Sequence, residues 1–306
     1  MRKFILLAIL VAAAVAPWII GGRYILHIAT MVVLTIPLAL SVNLTLKLDQ
    51  LSLAQPAFMG VGAYASALLT MRLGVPPVLA LLSGGLLAII ISLVFGPIFL
   101  RIKGVYFVLL TYAFSQVVNL IFQEWTSLFG GNNGLYGIPR FSILGWSFDS
   151  IASYYALGLV VAAIFFVAML AVERSDMGAI FGALNEDESF CRSIGSNAHS
   201  WRVAAFVMSS FMAAIAGGLY AFYIGFISPD VFGFQATIDL IVMNVVGGSG
   251  VVLGPVLGAL VIVPLLELLR EAKEYQLLVY GFCLIFFVLF FRQGIVSLFV
   301  RRRGAA

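Results

Sequence analysis

The chain has 306 residues, 63% of them hydrophobic and 10% charged, with a formal net charge of +4 and a mean hydropathy of +1.13. So few charges cannot cover a soluble domain of this size, so the composition excludes a globular cytosolic fold and requires a membrane domain. Basic residues stand at the ends of apolar runs, which is not a nucleic-acid signal, and two cysteines, Cys191 and Cys283, make no disulfide framework.

A helix needs about 20 apolar residues to cross the hydrocarbon layer. Within lipid the backbone must satisfy its own polar groups, so spanning runs without β-barrel alternation are helices. Ten apolar runs fall at 4–20, 25–46, 51–71, 77–100, 104–123, 151–172, 203–223, 237–248, 251–269 and 277–291. They predict a single domain over 1–306, an all-α polytopic membrane protein of about 8–10 transmembrane helices with broken or re-entrant segments. The first run follows Arg2 and Lys3 and ends near Ala14-Val15-Ala16, a pattern shared with cleavable signal peptides. With so many later spans, it is read as a first helix that stays. The run at 51–71 holds Pro56, Gly60 and Gly62 close together and reads as a broken span. The run at 237–248 is too short to cross as a straight helix. It leads into Gly247, Gly248, Gly250 and Gly254, which predict a helix break between two half-helices.

With the N-terminus inside, the inside set is Arg2, Lys3, Lys47, Arg101, Lys103, Arg174, Arg192, Arg202, Arg292, Arg301, Arg302 and Arg303. The outside set is Arg23, Arg72, Arg140, Arg270 and Lys273. This excess sets both termini and the charged interval 173–202 in the cytoplasm. The loop at 124–150 is then extracytoplasmic. Its Gly130, Gly131, Asn132, Asn133, Gly134, Gly137 and Pro139 build turns, and Trp125 and Trp146 suit a membrane interface. It reads equally as a plain connector or as a surface for an extracytoplasmic partner.

The interval 173–202 is the most charged in the chain. It predicts a short helix at 186–194, with Asn185 as N-cap, Glu188 closing a capping box, and Glu186 and Asp187 in the first turn. Glu188 and Arg192 pair four apart, and Gly195 stops the helix. Phe190 and Ile194 share a face with no obvious core to enter, so a soluble partner's groove is the expected docking site. A solvated loop on the lipid headgroups is the alternative.

Gly247-Gly248-Ser249-Gly250 resembles the G-x-S-G of rhomboid proteases, but the only histidines, His27 and His199, both precede Ser249 and leave it without the expected base. No phosphate-cradling G-x-x-x-x-G-K-[ST] motif and no metal-ligand spacing occur, and no catalytic residues or metal site are assigned. Asn43, Gln55, Gln116, Asn119 and Asn244 lie within apolar runs, as does Asp239 near one run's outer end. The five amides are candidates for a translocation pathway, or for hydrogen bonds between helices. No deep ionisable residue suits a proton-driven carrier, which favours an external energy source over an autonomous channel or secondary carrier.

Several motifs in order then carry a resemblance over about residues 40–270. Residues 51–64 (LSLAQPAFMGVGAY) resemble an LSLGxAAFxGxGAY segment, and residues 100–107 (LRIKGVYF) an LRxxGxYF segment. Residues 130–139 (GGNNGLYGIP) match a TGG…GLxGIP loop, and residues 178–195 are similar to a cytoplasmic GRALxAIREDExAAxxxGI stretch. Residues 227–229 (ISP) and 247–259 (GGSGVVLGPVLGA) match two further signatures. The chain is identified as resembling the permease subunits of branched-chain amino acid ABC importers, of the LivM type. It departs from that pattern at Asp49 and Ala54, where glycine is frequent, at Ala179 and Asn185, where arginine is, and at Ser189-Phe190-Cys191.

The resemblance implies an inner-membrane importer subunit that is not itself an enzyme. Its partners would be a second, LivH-like permease, two ABC ATPase subunits that hold ATP and Mg, and a periplasmic substrate-binding protein. The solute would be a branched-chain or other small amino acid, with urea or a short amide as the alternative within the same family. The helix at 186–194 would transmit ATPase closure to the permease.

Overall fold

A computed structural model describes residues 16–18, 21–143, 145–188, 191, 197–269, 278–282, 285 and 294–298. Most of the runs at 4–20 and 277–291 lies outside the described residues. Nine helices of eight or more residues are present among those described. They are α1 (Arg23–Leu46), α2 (Gln55–Leu73), α3 (Pro77–Phe99), α4 (Val105–Glu124), α5 (Ile151–Arg174), α6 (Asp176–Glu186), α7 (Ala198–Ile224), α8 (Phe234–Gly247) and α9 (Leu253–Leu269). Six segments are long and apolar enough to cross a membrane: α1, α3, α4, α5, α7, and α8 with the turn before it, Pro229–Gly247.

Local chemistry sets the ends. Pro76 and Pro77 open α3, and Ser150 caps α5 by accepting a hydrogen bond from the Ser153 amide at 3.0 Å. Asn197 caps α7 in the same way, accepting from the Ser200 amide at 3.3 Å. That start lies five residues before the apolar run at 203–223, because the cap and not the hydropathy fixes it. α2 and α7 both end on left-handed glycines, Gly74 and Gly225.

α7 is the centre of the bundle and packs on α1, α2 and α3, while α1 also packs on α5 and α9. Lipid tails are as apolar as the side chains, so close backbone approach holds such helices together. At the α2–α7 crossing a Cβ on Gly62 would stand 2.1 Å from the Ala214 carbonyl oxygen. One on Gly217 would stand 2.0 Å from that of Met59. α3, α4 and α5 turn large apolar side chains outward, among them Leu82, Leu86, Val117, Ile164 and Val167.

The two expected irregularities take different forms. Around 51–71 the irregular part precedes Pro56. Leu48, Gln50, Ser52 and Ala54 are buried without helical structure, and α2 then runs unbroken through Gly60 and Gly62. Pro56 sits in its first turn, where a missing N–H costs nothing. Irregular backbone at this depth is tolerable because protein surrounds it, and the Leu53 amide donates to Thr111 Oγ at 3.1 Å. Asp49, at a position where the resembled pattern favours glycine, has a φ of 55°, the left-handed region that glycine and Asp occupy most easily.

Between 234 and 269, α8 and α9 form an antiparallel hairpin with its break at 248–252. Gly248 has a φ of 112°, and Gly250 is exposed in the turn. Gly247 and Gly254 instead permit contact: a Cβ on either would come within 2 Å of backbone oxygen on the facing segment. The turn reaches the level at which α1 ends, since Asn43 Nδ2, near that end, donates to the Ser249 carbonyl at 3.0 Å. The hairpin therefore passes in and out of the bundle at full depth.

The loop at 124–150 folds into a small cap. β1 (Leu135–Tyr136) pairs antiparallel with β4 (Phe226–Ile227), and β2 (Ser142–Ile143) pairs with β3 (Trp146–Ser147). Gly130, Gly131, Gly134 and Gly137 all have positive φ, which explains the glycine spacing. Tyr136 stacks on Phe226 at 4.4 Å, so the loop is tied to the chain just after α7.

Candidate coupling element and buried polar sites

The charged interval is largely helical and begins earlier than its charges suggest. α6 starts after Ser175 and buries Phe181 and Leu184, with Phe181 edge-on to Trp201 of α7 at 6.4 Å. Met177, Ile180, Phe181 and Leu184 follow the i, i+3, i+4, i+7 helical period. That signal was in the sequence, overshadowed by the acidic run after it. Gly178 allows the tight joint between α5 and α6, because a Cβ there would lie 2.5 Å from the Glu173 carbonyl oxygen.

The expected helix start at Asn185 is thus corrected. Asn185 and Glu186 end α6, and Asp187 is extended at φ −153°, ψ 108°. The Asp187 carbonyl accepts from the Cys191 amide at 3.3 Å, and Glu188 and Cys191 are helical. The second helical segment therefore opens at Glu188, with Asp187 in the capping position, two residues later than expected. Phe190, Arg192, Ile194 and Gly195 lie outside the described residues. Asn185, Glu186 and Asp187 are exposed.

Glu188 fastens this element to the bundle. Its carboxylate accepts from Lys103, in the link between α3 and α4, and pairs with Arg202 Nη1 of α7 at 3.0 Å. Arg202, placed on the cytoplasmic side from sequence, is 8% exposed. Burial pushes the Glu188 carboxyl up, but the Lys103 hydrogen bond and the Arg202 charge outweigh it and hold it at about 2, against an ordinary 4.5. A carboxyl depressed on folding adds stability above its unfolded value and loses it as pH falls through the folded one. The clamp should therefore persist at pH 5 and release between pH 4.5 and about 2. Acid titration of a tryptophan signal near Trp201 checks this: Glu188→Gln should remove the transition in that window while leaving any others. Beside the clamp, Lys47 at the end of α1 pairs with Glu173 at the end of α5 at 3.2 Å.

The five buried amides do not form one lined channel. Asn43 and Asn244 meet where α1 faces α8, Asn244 Nδ2 donating to the Ala39 carbonyl at 3.1 Å and to Leu240 at 2.9 Å. Gln55 Nε2 donates to Ser209 Oγ of α7 at 3.3 Å. Asn119 Nδ2 donates to the Pro229 carbonyl at 2.7 Å and so pins the turn after β4 to α4, while Gln116 is half-buried on the same helix. The side-chain oxygens of Asn43, Gln55 and Asn244 have no hydrogen-bond partner among the described residues. Such fully buried acceptors are uncommon and mark places where water or movement can enter.

Two cavities flank this layer. One of about 310 Å³ lies where Lys47, Glu173, Gly182 and Asn185 face Ser249 and Gly250, so α6 meets the α8–α9 turn. The other, of about 620 Å³, lies between α1, α7, α8 and α9 and includes Asp239 in its wall. Ser249 is exposed in its turn. His27 bonds the Tyr223 hydroxyl at 2.8 Å, some 16 residues up α1 from Asn43, which is roughly 24 Å at the rise of an α-helix. This separation removes His27 as a base for Ser249.

Comparison with known proteins agrees with this architecture. Residues 24–288 match the family model described as branched-chain amino acid transport system / permease component. The chain is 30% identical over 323 aligned positions to the high-affinity branched-chain amino acid transport system permease protein LivM of Escherichia coli K12, covering 97% of this chain and 75% of that protein. It is 29% identical over 190 positions to LivH of the same organism, covering 59% and 61%. It is 30% identical over 145 positions to the ribose import permease RbsC of Haemophilus influenzae, covering 43% and 45%. No solved structure matches. This multi-pass membrane chain belongs to the branched-chain amino acid transport permease family.

Proposed function

We propose that the chain is one of two permease subunits of an ATP-driven importer that takes up branched-chain or other small amino acids. The match to LivM along nearly the whole chain supports this solute class, and the partial match to LivH supports a related second permease. A periplasmic binding protein would deliver the solute to the side bearing the β1–β4 cap. ATPase subunits would hold ATP and Mg and engage α6 and the segment after it from the cytoplasm, with both termini on that side.

The observation that carries the reading is the mounting of α6. Its apolar face is sealed into the bundle, and its exposed end offers Asn185, Glu186 and Asp187. Just beyond that end, Glu188 locks the chain to the α3–α4 link and to α7. An element fixed at its base and exposed at its tip transmits a push as a rigid body. The push has a short path, because Asn185 shares a cavity with the Ser249–Gly250 turn of the α8–α9 hairpin.

Reconstitution tests the proposal. The chain should co-purify with an ATPase and a second permease, and the complex should drive ATP-dependent leucine uptake with its binding protein. Replacing Glu186 and Asp187 with alanine should release the ATPase. Leucine uptake by this chain alone in ATP-free vesicles would instead identify an autonomous carrier.

A further inference from the structure

The 620 Å³ cavity has a lining with the chemistry of a ligand pocket. Its size falls in the range of small-molecule sites, and its walls are mostly apolar with a few polar groups. Leu38, Met59, Leu240 and Met243 form the apolar side. Methionine thioethers adapt to ligand shapes of similar polarity, which suits a set of aliphatic side chains.

Asp239 of α8 is the polar counterpart. Gln235 Nε2, one turn earlier, donates to its Oδ1 at 2.9 Å, and the Tyr280 hydroxyl donates to the same oxygen at 3.1 Å. Both donors thus converge on one oxygen and fix the carboxylate's orientation. No donor among the described residues reaches Oδ2. Glu267 of α9 brings a second carboxylate to the wall, and no Lys, Arg or His lines the cavity among the described residues. Among the described residues the charged groups of the lining are carboxylates, with Asp239 the one whose partners are resolved. A carboxylate can only accept hydrogen bonds, so the group that completes it is a donor, and a cationic donor adds direct charge attraction to that bond.

We propose that this cavity receives the ammonium end of a small aliphatic solute, with Asp239 Oδ2 as its acceptor and the methionine-rich wall against its side chain. The inference builds on the importer reading and adds a recognition site within the permease itself. It also favours an amine-bearing solute over urea, which brings no charge.

Two measurements test it. In the full complex in liposomes, Asp239→Asn should lower leucine uptake by about tenfold, the scale of one charge-assisted hydrogen bond. Asp239→Glu should retain most of the uptake, and subunit composition should be unchanged in both. Uptake by Asp239→Asn at the unaltered rate, or equal damage in both variants, overturns the proposal. If the unaltered complex shows no ATP-dependent uptake, the importer reading itself fails, which is a separate outcome. The second measurement does not depend on transport. Ala236→Cys places a thiol on the cavity wall in a chain with Cys191 and Cys283 replaced by serine. A cationic methanethiosulfonate should label it several-fold faster than an anionic one, and adding Asp239→Asn should remove that preference. Equal rates before that change would show that the cavity holds no negative field.

Discussion

Replacing Gly217 with leucine should yield a permease that fails to assemble. The added Cβ alone would lie 2.0 Å from the Met59 carbonyl oxygen, a backbone atom that no rotamer change can move. Relief requires separating α2 from α7, the contact about which the bundle is built. Overpacking in a core costs up to about 3 kcal/mol when side chains can yield, and more is expected where only backbone can. That is a large fraction of the roughly 5–15 kcal/mol that holds an ordinary domain folded. Thermal unfolding and size-exclusion profiles in detergent check the expectation. Gly182→Ala is the matched control. Gly182 lies on the exposed side of α6 with open space around its Cβ position, so alanine there should be neutral or stabilising by up to about 1 kcal/mol. Equal behaviour of the two variants would mean that the α2–α7 crossing is not close-packed.

The second large effect concerns the clamp at the start of the post-α6 segment. Glu188→Ala leaves Arg202 as a buried charge with its Glu188 partner removed, and its Nε already has no hydrogen-bond partner among the described residues. Breaking a buried pair from one side costs about 3 kcal/mol, because the remaining charge stays desolvated. Arg202→Met in the same chain should recover most of that loss. Lys103→Ala should cost under about 1 kcal/mol, since its side chain is 58% exposed and water screens it. The importer reading adds a functional expectation for Glu188→Ala with Arg202→Met: a folded complex whose ATPase turns over while uptake falls. Unimpaired uptake in this double variant would show that the clamp supports the fold without carrying the motion.

How much of this was legible beforehand varies by element. Spans were readable because hydropathy is additive along a helix and lipid demands it. The helix break at 248–252 was readable from clustered glycines, although their roles differ: Gly248 takes a positive φ and Gly254 permits contact. From sequence, α6 was passed over and the helix after it placed two residues too early, because cap residues recur there and Asn185 satisfies the pattern as well as Asp187 does. Only the burial of Phe181 and Leu184 against α7 selects between them. Asp239 was noted near the outer end of its run, where it could reach water. Its pairing with Tyr280, 41 positions away, and its place in a cavity wall cannot be read from local spacing.

By itself the sequence determined that the protein lives in a membrane, where its apolar runs fall, and which motifs tie it to a permease family. These rest on composition, period and order, which are properties of neighbours along the chain. The tertiary structure decided which glycines touch, that residues 135–136 pair with 226–227, that Arg202 is buried against Glu188, and that a cavity with Asp239 in its wall opens between α1, α7, α8 and α9. Each of those depends on helix rotation and depth, and contacts between distant segments set these while hydropathy leaves them open.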